Sequence, residues 1–350
     1  MPSSSIDSDR SPDRLDAPPL LGVKHLHIAV GDRTLVRDLS FALHAGERLV
    51  LVGANGTGKT TLLSILAGLQ TPSGGEVIRP PTPPGVLFQD GALWPHLTVS
   101  EHLSFVDTHD DPAWRKRLLK TFQLTALANQ RPESMSGGER LRLGLARALA
   151  NRPSWVLMDE PLAHLDPHVA SSVRETLPLL LEEIGAASVV ITHDPDDVLH
   201  FGQRLISLSG RGPTWQGSAR FALESPPTLG LAAFAERGTL LTAVADSQGR
   251  AEFGLGLAIE NAPPGEEVTA FLDNAAVRFS DDGQSIQATF VAPDRRGGSW
   301  VRLNGRLIRC GDFEGGLRSG DLVRIRIEGR VRPLHDMEPG QNSKTESPRE

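Results

Sequence analysis

A glycine-rich loop between a buried strand and a helix constrains this chain more than any other feature of its sequence. Residues 49–52 are consecutive aliphatic residues and predict a buried strand, while residues 60–67 predict a helix. The segment between them fits the pattern G-x-x-x-x-G-K-[ST], in which backbone N–H groups and a helix N-terminus surround an anion. We therefore predict a phosphate-binding loop, formed by Gly53, Ala54, Asn55, Gly56, Thr57, Gly58, Lys59, Thr60 and the adjacent Thr61.

Two carboxylates follow a second buried strand. Residues 155–158 are apolar, and Asp159 and Glu160 come directly after them. In a phosphate loop of this pattern, Lys59 would reach the β- and γ-phosphates and the Thr60 hydroxyl would bind Mg²⁺. Asp159 can then hold the water shell of the metal, and Glu160 is the candidate general base for an attacking water. For this segment alone, a solvated acidic pair at a strand end is the alternative.

The order of elements along the chain predicts the fold class. Strands at 155–158 and 188–192 occur among helices at 138–150 and 167–184, which favours an α/β domain with a largely parallel sheet. Later in the chain, short alternating runs and an Asn304-Gly305 turn are typical of a small all-β barrel or sandwich. The predicted organisation is a disordered tail at 1–20, an α/β domain at 21–235, a β domain at 236–335 and a disordered tail at 336–350.

Composition and charge exclude several classes of protein. The chain has 36 Lys and Arg against 43 Asp and Glu, and this net charge of −7 argues against nucleic acid as a partner. Cys310 is the only cysteine, so an internal disulfide and a cysteine-rich zinc site are excluded and a reducing compartment is favoured. The polar N-terminus has no secretory pattern and no apolar run reaches 18 residues, so we expect no membrane span.

A second glycine-bearing helix start precedes the helix predicted at 138–150. Ser136 is a candidate N-cap, and Gly137 and Gly138 would expose backbone N–H groups there. Taken alone, this feature is either a second anion site or an ordinary capped helix.

These motifs together resemble the nucleotide-binding subunit of ABC transporters over about residues 21–217. Ser136-Gly137-Gly138-Glu139 is similar to the signature motif of that family, with Met135 before it where leucine is commoner. Gln89 resembles the Q-loop glutamine, Asp166 ends a segment similar to the D-loop, and His193 resembles the switch histidine. The resemblance implies ATP and Mg²⁺ as ligands. By the same resemblance, Gln89 would touch Mg²⁺ and the attacking water, Asp166 would lie at the nucleotide, and His193 would contact the γ-phosphate.

The resemblance also implies partners and a location. Two copies would pair head to tail, so that residues 136–138 of one copy close over the ATP of the other. Transmembrane permease subunits, and in importers a periplasmic solute-binding protein, would complete the assembly at the cytoplasmic face of the inner membrane. Trp94 and Leu97 are candidate contacts with the permease, although packing inside a helical subdomain is an equal alternative.

Two regions bear on specificity and on the type of transporter. Val30 stands where the family usually has an aromatic residue that stacks on adenine, so nucleotide selectivity is open and use of GTP is conceivable. The segment at 236–335 weakly resembles the TOBE domain of importer ATPases, which is an OB-like barrel. The leading hypothesis is an ATPase subunit that powers import of an inorganic anion, ferric iron, a polyamine or a sugar. A soluble ABC ATPase outside transport and an exporter subunit are the alternatives.

Overall fold

The chain divides into two compact units, residues 1–219 and 220–350. The computed structural model describes residues 18–31, 33–89, 91–235, 238–254, 257–259, 264–273, 277–279, 286–293, 299–303, 306–310, 319, 322–327 and 332–334. The sequence predicts a domain boundary later than 219, after residue 235, and that boundary stays a prediction. The predicted tails lie outside the described residues, apart from residues 18–20.

The first unit mixes strands and helices in the way that the sequence predicts. In chain order they are β1 (Leu21–Val30), β2 (Arg33–Leu43), β3 (Arg48–Gly53), α1 (Lys59–Leu66), β4 (Gly74–Ile78), β5 (Gly85–Leu87), α2 (Val99–Val106), α3 (Pro112–Thr121), α4 (Gly137–Ala150), β6 (Trp155–Asp159), α5 (Pro167–Glu183), β7 (Ala187–Ile191), α6 (Pro195–Phe201), β8 (Arg204–Ser209) and β9 (Gly212–Ser218). The predicted strands correspond to β3, β6 and β7, and the predicted helices correspond to α1, α4 and α5.

A six-stranded sheet forms the centre of this unit, with the order β5-β6-β7-β3-β8-β9. Its neighbouring strands are parallel except for β9, which runs antiparallel to β8. Every residue of β6 and β7 is buried, as is typical of strands covered on both faces. Because parallel strands end at the same edge of a sheet, the carboxyl ends of β3, β6 and β7 bring Gly53, Asp159 and Ile191 together.

A second sheet, antiparallel and ordered β2-β1-β4, packs on the apolar core. Its buried side chains share one cluster with those of β3, β6, β7 and α1. The cluster includes Leu26, Ile28, Val36, Leu49, Leu51, Leu62, Ile65, Trp155 and Val189. Burial of this aliphatic surface holds the amino end of α1, and with it the loop before α1, against the central sheet.

Between β5 and β6 the chain forms a helical segment of α2, α3 and α4. Thr98 caps α2 with a capping box, and Asp111 caps α3 ahead of Pro112. The buried Trp114 donates a hydrogen bond from its indole Nε1 to the carbonyl of Leu149, 3.2 Å away, and so ties α3 to α4. Within the described part of the chain, no helix has the length and apolar character to cross a membrane.

The second unit begins with two short helices and continues as antiparallel strands. The helices are α7 (Ala219–Glu224), whose first residue closes the first unit, and α8 (Leu229–Ala235). The strands are β10 (Gly238–Val244), β11 (Ala251–Gly254), β12 (Leu257–Ile259), β13 (Glu267–Asp273), β14 (Val277–Phe279), β15 (Ile286–Pro293), β16 (Ser299–Leu303), β17 (Arg306–Cys310), β18 (Leu322–Ile327) and β19 (Arg332–Leu334). The described strands form sheets ordered β10-β13-β19, β11-β12 and β14-β18-β15-β16-β17.

The β-rich character predicted for this region agrees with the described strands. Leu303 pairs with Arg306 across β16 and β17, which fits the hairpin predicted from Asn304-Gly305, although those two residues lie outside the described ranges. Cys310 at the end of β17 is buried, and burial raises the pKa of its thiol to about 12.

One buried histidine of the helical segment has a defined tautomer. The backbone N–H of Trp94 donates to Nε2 of His102 over 3.0 Å, so the ring proton is on Nδ1, which lies 2.7 Å from the carbonyl of Thr98. Burial lowers the pKa of His102, and the nearby charge of Arg147 adds to this effect. The hydrogen bond to Thr98 opposes the shift but does not outweigh it.

We expect the stability of the first unit to fall in mild acid because of His102. Its pKa is lower in the folded state than in the unfolded state, so the unfolded state binds more protons as the pH falls through about 6.5 and below. The free energy of unfolding is therefore unaffected by His102 above that pH, and it falls as the pH drops below it. The measurement is the urea midpoint between pH 7.5 and 5.5, for the parent and for His102→Gln.

The control for this experiment is the exposed His109, changed to Gln. The parent and His109→Gln should lose stability with the same pH slope, and His102→Gln should show a smaller slope. Equal slopes for all three proteins would mean that His102 does not resist protonation.

Candidate functional site

The loop before α1 has a backbone that glycine makes possible. Gly53 has φ 151°, and a Cβ there would lie 2.3 Å from the carbonyl oxygen of Leu208. Gly58 has φ 95° and stands at the N-cap of α1 without any side-chain cap. The first N–H groups of α1 are therefore available to an anion, as the phosphate-binding pattern requires.

Lys59 carries a buried positive charge inside this loop. Its Nζ donates hydrogen bonds to the carbonyls of Gly53 and Ala54, at 2.7 and 3.0 Å. Burial lowers the pKa of Lys59, while Glu160 and Asp159 oppose that shift by their charge. An ammonium group that is bonded to neutral carbonyls keeps its charge available for phosphate oxygens.

Thr60 and Asp159 connect the loop to the end of β6. The Thr60 hydroxyl donates a 2.7 Å hydrogen bond to Oδ2 of Asp159, whose residue is only 3% exposed. Burial raises the pKa of Asp159, the Thr60 bond and the charge of Lys59 lower it, and the charge of Glu160 raises it further. A hydroxyl and a carboxylate side by side are hard oxygen donors of the kind that Mg²⁺ prefers, so this pair fits the predicted metal.

Glu160 and His193 meet at the same edge of the sheet. Oε1 of Glu160 lies 3.2 Å from Nδ1 of His193. The backbone of Glu160 is left-handed, with φ 51°, and its N–H donates to the carbonyl of Ile191 at the end of β7. The side chain of Glu160 is 21% exposed and that of His193 is 70% exposed, so both face a region that water can enter. A carboxylate in this position can take a proton from water.

Gln89 lies at the carboxyl end of the neighbouring edge strand. Leu87 of β5 pairs with Met158 of β6 in parallel register. Gln89 and Glu160 each come two residues after this pair, so their backbones leave the sheet side by side. Gln89 is exposed and follows the sheet at the same edge as Glu160, and its contact with Mg²⁺ and the attacking water stays a prediction.

The second glycine-bearing helix start is a capped helix whose tip faces open space. The Ser136 hydroxyl accepts a hydrogen bond from the N–H of Glu139, and the Glu139 carboxylate accepts one from the N–H of Ser136. This backbone hydrogen bond at Ser136 is the largest cause that lowers the pKa of Glu139. A Cβ built at Gly137 would meet no atom within 4 Å, so the tip of α4 is uncovered there.

The structure assembles the predicted residues into two groups. The first group is the phosphate loop with Asp159, Glu160, His193 and Gln89, at the carboxyl edge of the central sheet. The second group is Ser136, Gly137 and Gly138 with the turn before α5, because a Cβ at Gly138 would lie 3.4 Å from the carbonyl of His164. Asp166 belongs to the second group as the N-cap of α5, where it accepts a hydrogen bond from the N–H of His168.

Three polar residues beside His193 are absent from the sequence predictions. Asp197, which is 4% exposed, accepts hydrogen bonds from Arg174 and Thr192. The signal in the sequence is a third acidic residue after His193, in the run Asp194-Pro195-Asp196-Asp197. That signal does not identify Arg174, which comes from α5 and meets Asp197 through tertiary packing alone.

Comparisons with known proteins identify the family. Residues 36–163 match the family described as ABC transporter. The Fe(3+) ions import ATP-binding protein FbpC 3 of Rhodococcus jostii is 30% identical over 330 residues, which cover 86% of this chain and 94% of that protein. FbpC of Pseudomonas fluorescens is 34% identical over 66% of this chain and 70% of its own length. The chain therefore belongs to the ABC transporter family, and within it to the ATP-binding subunits.

Other relatives match over a shorter length. The spermidine/putrescine import ATP-binding protein PotA of Chromobacterium violaceum is 36% identical over 54% of this chain, and the chain spans only 57% of that protein. Among solved structures, the dimeric bacterial ABC transporter cassette MJ0796 is 27% identical with a TM-score of 0.53, over 57% of this chain and 99% of the cassette. A dimeric post-hydrolysis state of that cassette, bound to ADP and Pi, has a TM-score of 0.51 at 28% identity and the same coverage.

Removal of the buried charge at Lys59 should weaken nucleotide binding. Hydrogen bonds to a charged group contribute about 1.5–3 kcal/mol, so we expect Lys59→Gln to reduce ATP affinity by about tenfold to a hundredfold. Titration calorimetry with ATP measures the change. The exposed Lys116 on α3, changed to Gln, is the matched control and should bind as the parent does. Equal affinity for the parent and Lys59→Gln would remove Lys59 from the phosphate site.

Proposed function

We propose that the chain is the ATP-hydrolysing subunit of an importer, acting as a homodimer on separate permease subunits. The observation that carries the proposal is the short distance of 3.2 Å between Glu160 and His193, at the edge where the phosphate loop also ends. On this proposal the chain lies at the cytoplasmic face of the inner membrane and is peripheral to it. A periplasmic solute-binding protein would deliver the cargo to the permease.

The chemistry proposed for the first group follows from its charges. The N–H groups of residues 53–61 and the Lys59 ammonium would hold the β- and γ-phosphates. Thr60, Asp159 and Gln89 would hold Mg²⁺, which supplies charge neutralisation on the phosphate oxygens. Glu160 would accept a proton from the attacking water, and His193 would hold Glu160 in position and contact the γ-phosphate.

The proposed homodimer gives the second group a role. At the open tip of α4, the backbone N–H groups of Gly137 and Gly138 lack a partner within the helix, whereas the N–H of Ser136 is bonded to Glu139. Placed over the nucleotide of a second copy, these groups would meet the γ-phosphate, with Asp166 beside them. Loss of that phosphate on hydrolysis would then weaken the contact between the two copies.

For the cargo we propose ferric iron or a polyamine. The proteins named as Fe(3+) and as spermidine/putrescine import ATP-binding proteins support these two classes over the inorganic anions and sugars that the sequence also allowed. The second unit is proposed to be a TOBE-like, OB-like domain, and its antiparallel strands support this assignment.

A candidate permease contact lies beside Gln89 in the chain. Trp94 stacks edge-on against Phe105, with ring centroids 5.0 Å apart, and Phe105 is 69% exposed. The guanidinium of Arg147 lies over the ring of Trp94, 5.5 Å from its centroid. Arg147 also donates hydrogen bonds to the carbonyls of Ala92 and Val86. An exposed aromatic side chain on a rigid base is suited to a helix of a membrane partner. Leu97, half-buried nearby, stays a second candidate.

Neutralising Glu160 should stop hydrolysis and hold the dimer together. General bases contribute about 10²–10⁴-fold, so we expect Glu160→Gln to lower the ATPase rate by at least about a hundredfold. Because ATP then stays bound, light scattering with ATP and Mg²⁺ should give twice the mass of the monomer. Glu182→Gln, an exposed site on α5, should behave as the parent does. A Glu160→Gln protein that hydrolyses ATP at the parental rate, or stays monomeric with ATP, would contradict the proposal.

The absence of an aromatic ring at Val30 should leave weak selectivity for the base. Val30 is 59% exposed, and stacking on an aromatic ring contributes about 1–3 kcal/mol per base. We therefore expect GTP to compete with ATP within about tenfold, and Val30→Tyr to raise ATP affinity by about tenfold or more. Displacement of a fluorescent ATP analogue measures both effects. Leu179→Tyr, at another exposed apolar position, is the control, and a strong preference of the parent for ATP would contradict the prediction.

Co-purification from membranes tests the transport assignment. The tagged chain should bring down a permease, and the pair reconstituted in vesicles with its binding protein should accumulate radioactive iron or putrescine only when ATP is present on the side of the chain. Export of cargo would favour an exporter subunit. Recovery of the chain without any membrane protein would favour a soluble ABC ATPase.

A further inference from the structure

We propose that Arg174, Thr192 and Asp197 form a clamp that positions His193 and connects it to helix α5. The clamp consists of these three side chains together with the backbone N–H of Asp194. His193 itself makes none of these bonds, so the three residues would act on hydrolysis only through the position of the histidine. This inference rests on the proposed role of His193 in ATP hydrolysis.

The contacts fix the chain on both sides of His193. The Thr192 hydroxyl donates to Oδ2 of Asp197 over 2.9 Å and accepts the N–H of Asp194 over 3.0 Å. One hydroxyl therefore connects the residue before His193 to the residue after it. The backbone N–H of Thr192 also donates to the carbonyl of Leu51 in β3, which holds this point against the strand that leads into the phosphate loop.

The second half of the clamp comes from α5. Nε of Arg174 donates to Oδ1 of Asp197 over 2.8 Å, and its Nη2 lies 2.8 Å from the same oxygen and 3.6 Å from Oδ2 of Asp194. The carboxylate of Asp197 thus receives the guanidinium on one oxygen and the Thr192 hydroxyl on the other. Two contacts of this kind restrict both the position and the rotation of the carboxylate.

Burial makes this arrangement sensitive to the loss of a partner. Asp197 is 4% exposed, and burial raises its pKa, while the hydrogen bond and charge of Arg174 and the bond from Thr192 lower it. A buried carboxylate that loses its cation is strongly disfavoured, so the side chains around it would rearrange. The turn that carries His193 lies next to this carboxylate, because Thr192 before it and Asp194 after it both contact the clamp.

The helix that supplies Arg174 is α5, which follows its N-cap Asp166. Asp166 caps α5, and Arg174 lies eight residues further along, about two turns of a rigid helix. A shift of Asp166 is therefore carried to Arg174 and through Asp197 to the turn of His193. In the proposed homodimer, Asp166 lies against the second copy of the chain. The clamp would therefore make the position of His193 depend on the contact between Asp166 and that copy.

Turnover and binding in paired variants test the clamp. Thr192→Val keeps the shape of the side chain and removes the hydroxyl, whereas Thr192→Ser keeps the hydroxyl. We expect Thr192→Val and Asp197→Asn to lower kcat for ATP by about tenfold or more, with KM and nucleotide affinity changed by less than about threefold. Thr192→Ser should retain most of the parental kcat. The control is Glu183→Gln on the same helix, which breaks the exposed pair with Arg117 and should keep parental turnover.

A double-variant comparison separates positioning from a general loss of structure. If the clamp acts through His193, then His193→Ala with Asp197→Asn should have the same kcat as His193→Ala alone. A further tenfold loss in the double variant, or a fall of kcat in Thr192→Ser equal to that in Thr192→Val, would overturn the clamp.

The outcomes also distinguish this inference from the proposed function. If Glu160→Gln and His193→Ala turn over measurably but far more slowly than the parent while Thr192→Val and Asp197→Asn turn over at the parental rate, the clamp is overturned and the proposed function stands. If His193→Ala hydrolyses ATP at the parental rate, the proposed role of His193 fails and the clamp fails with it.

Discussion

The hydrogen bond from Thr60 to Asp159 is the interaction on which the site depends. It joins the loop after β3 to the end of β6, two strands that are separated in the sheet by β7. The buried Lys59 lies in the same loop; burial lowers its pKa, and the charges of Glu160 and Asp159 oppose that shift. These opposite charges are stable in a poorly hydrated place only because the apolar core fixes the strands that carry them.

The two groups of site residues lie on different parts of one scaffold. The first is built from the ends of central strands, which the apolar core holds rigidly, and the second is built from the N-termini of α4 and α5. In the second group, Ser136, Glu139 and His168 have capped N–H groups, and Gly137 and Gly138 carry the N–H groups that remain without a partner in the helix. N–H groups that face water are hydrogen-bonded to it, so leaving them open costs little free energy of folding. When an anion covers them, their hydrogen bonds to it stabilise the complex.

Much of the first unit could be predicted from the sequence, because its signals are local. The runs 49–52, 155–158 and 188–192 are β3, β6 and β7, and the chemistry-bearing residues follow each of them directly. The register of β1 with its neighbours contains irregularities that no periodic pattern shows. Arg174 could not be connected to Asp197 from the sequence, because 23 residues separate them and only the packing of α5 on α6 brings them together. The OB-like topology of the second unit stays a prediction for a similar reason, since strand order there depends on distant pairings.

The sole cysteine has a practical consequence for anyone who studies motion in this protein. Cys310 is 1% exposed and the pKa of its thiol is about 12, so almost no thiolate exists near neutral pH and maleimide reagents reach it slowly. Engineered cysteines on exposed helices can therefore carry fluorophores or spin labels without removal of the native one. Labelling of the unmodified chain would in turn report the opening of the second unit.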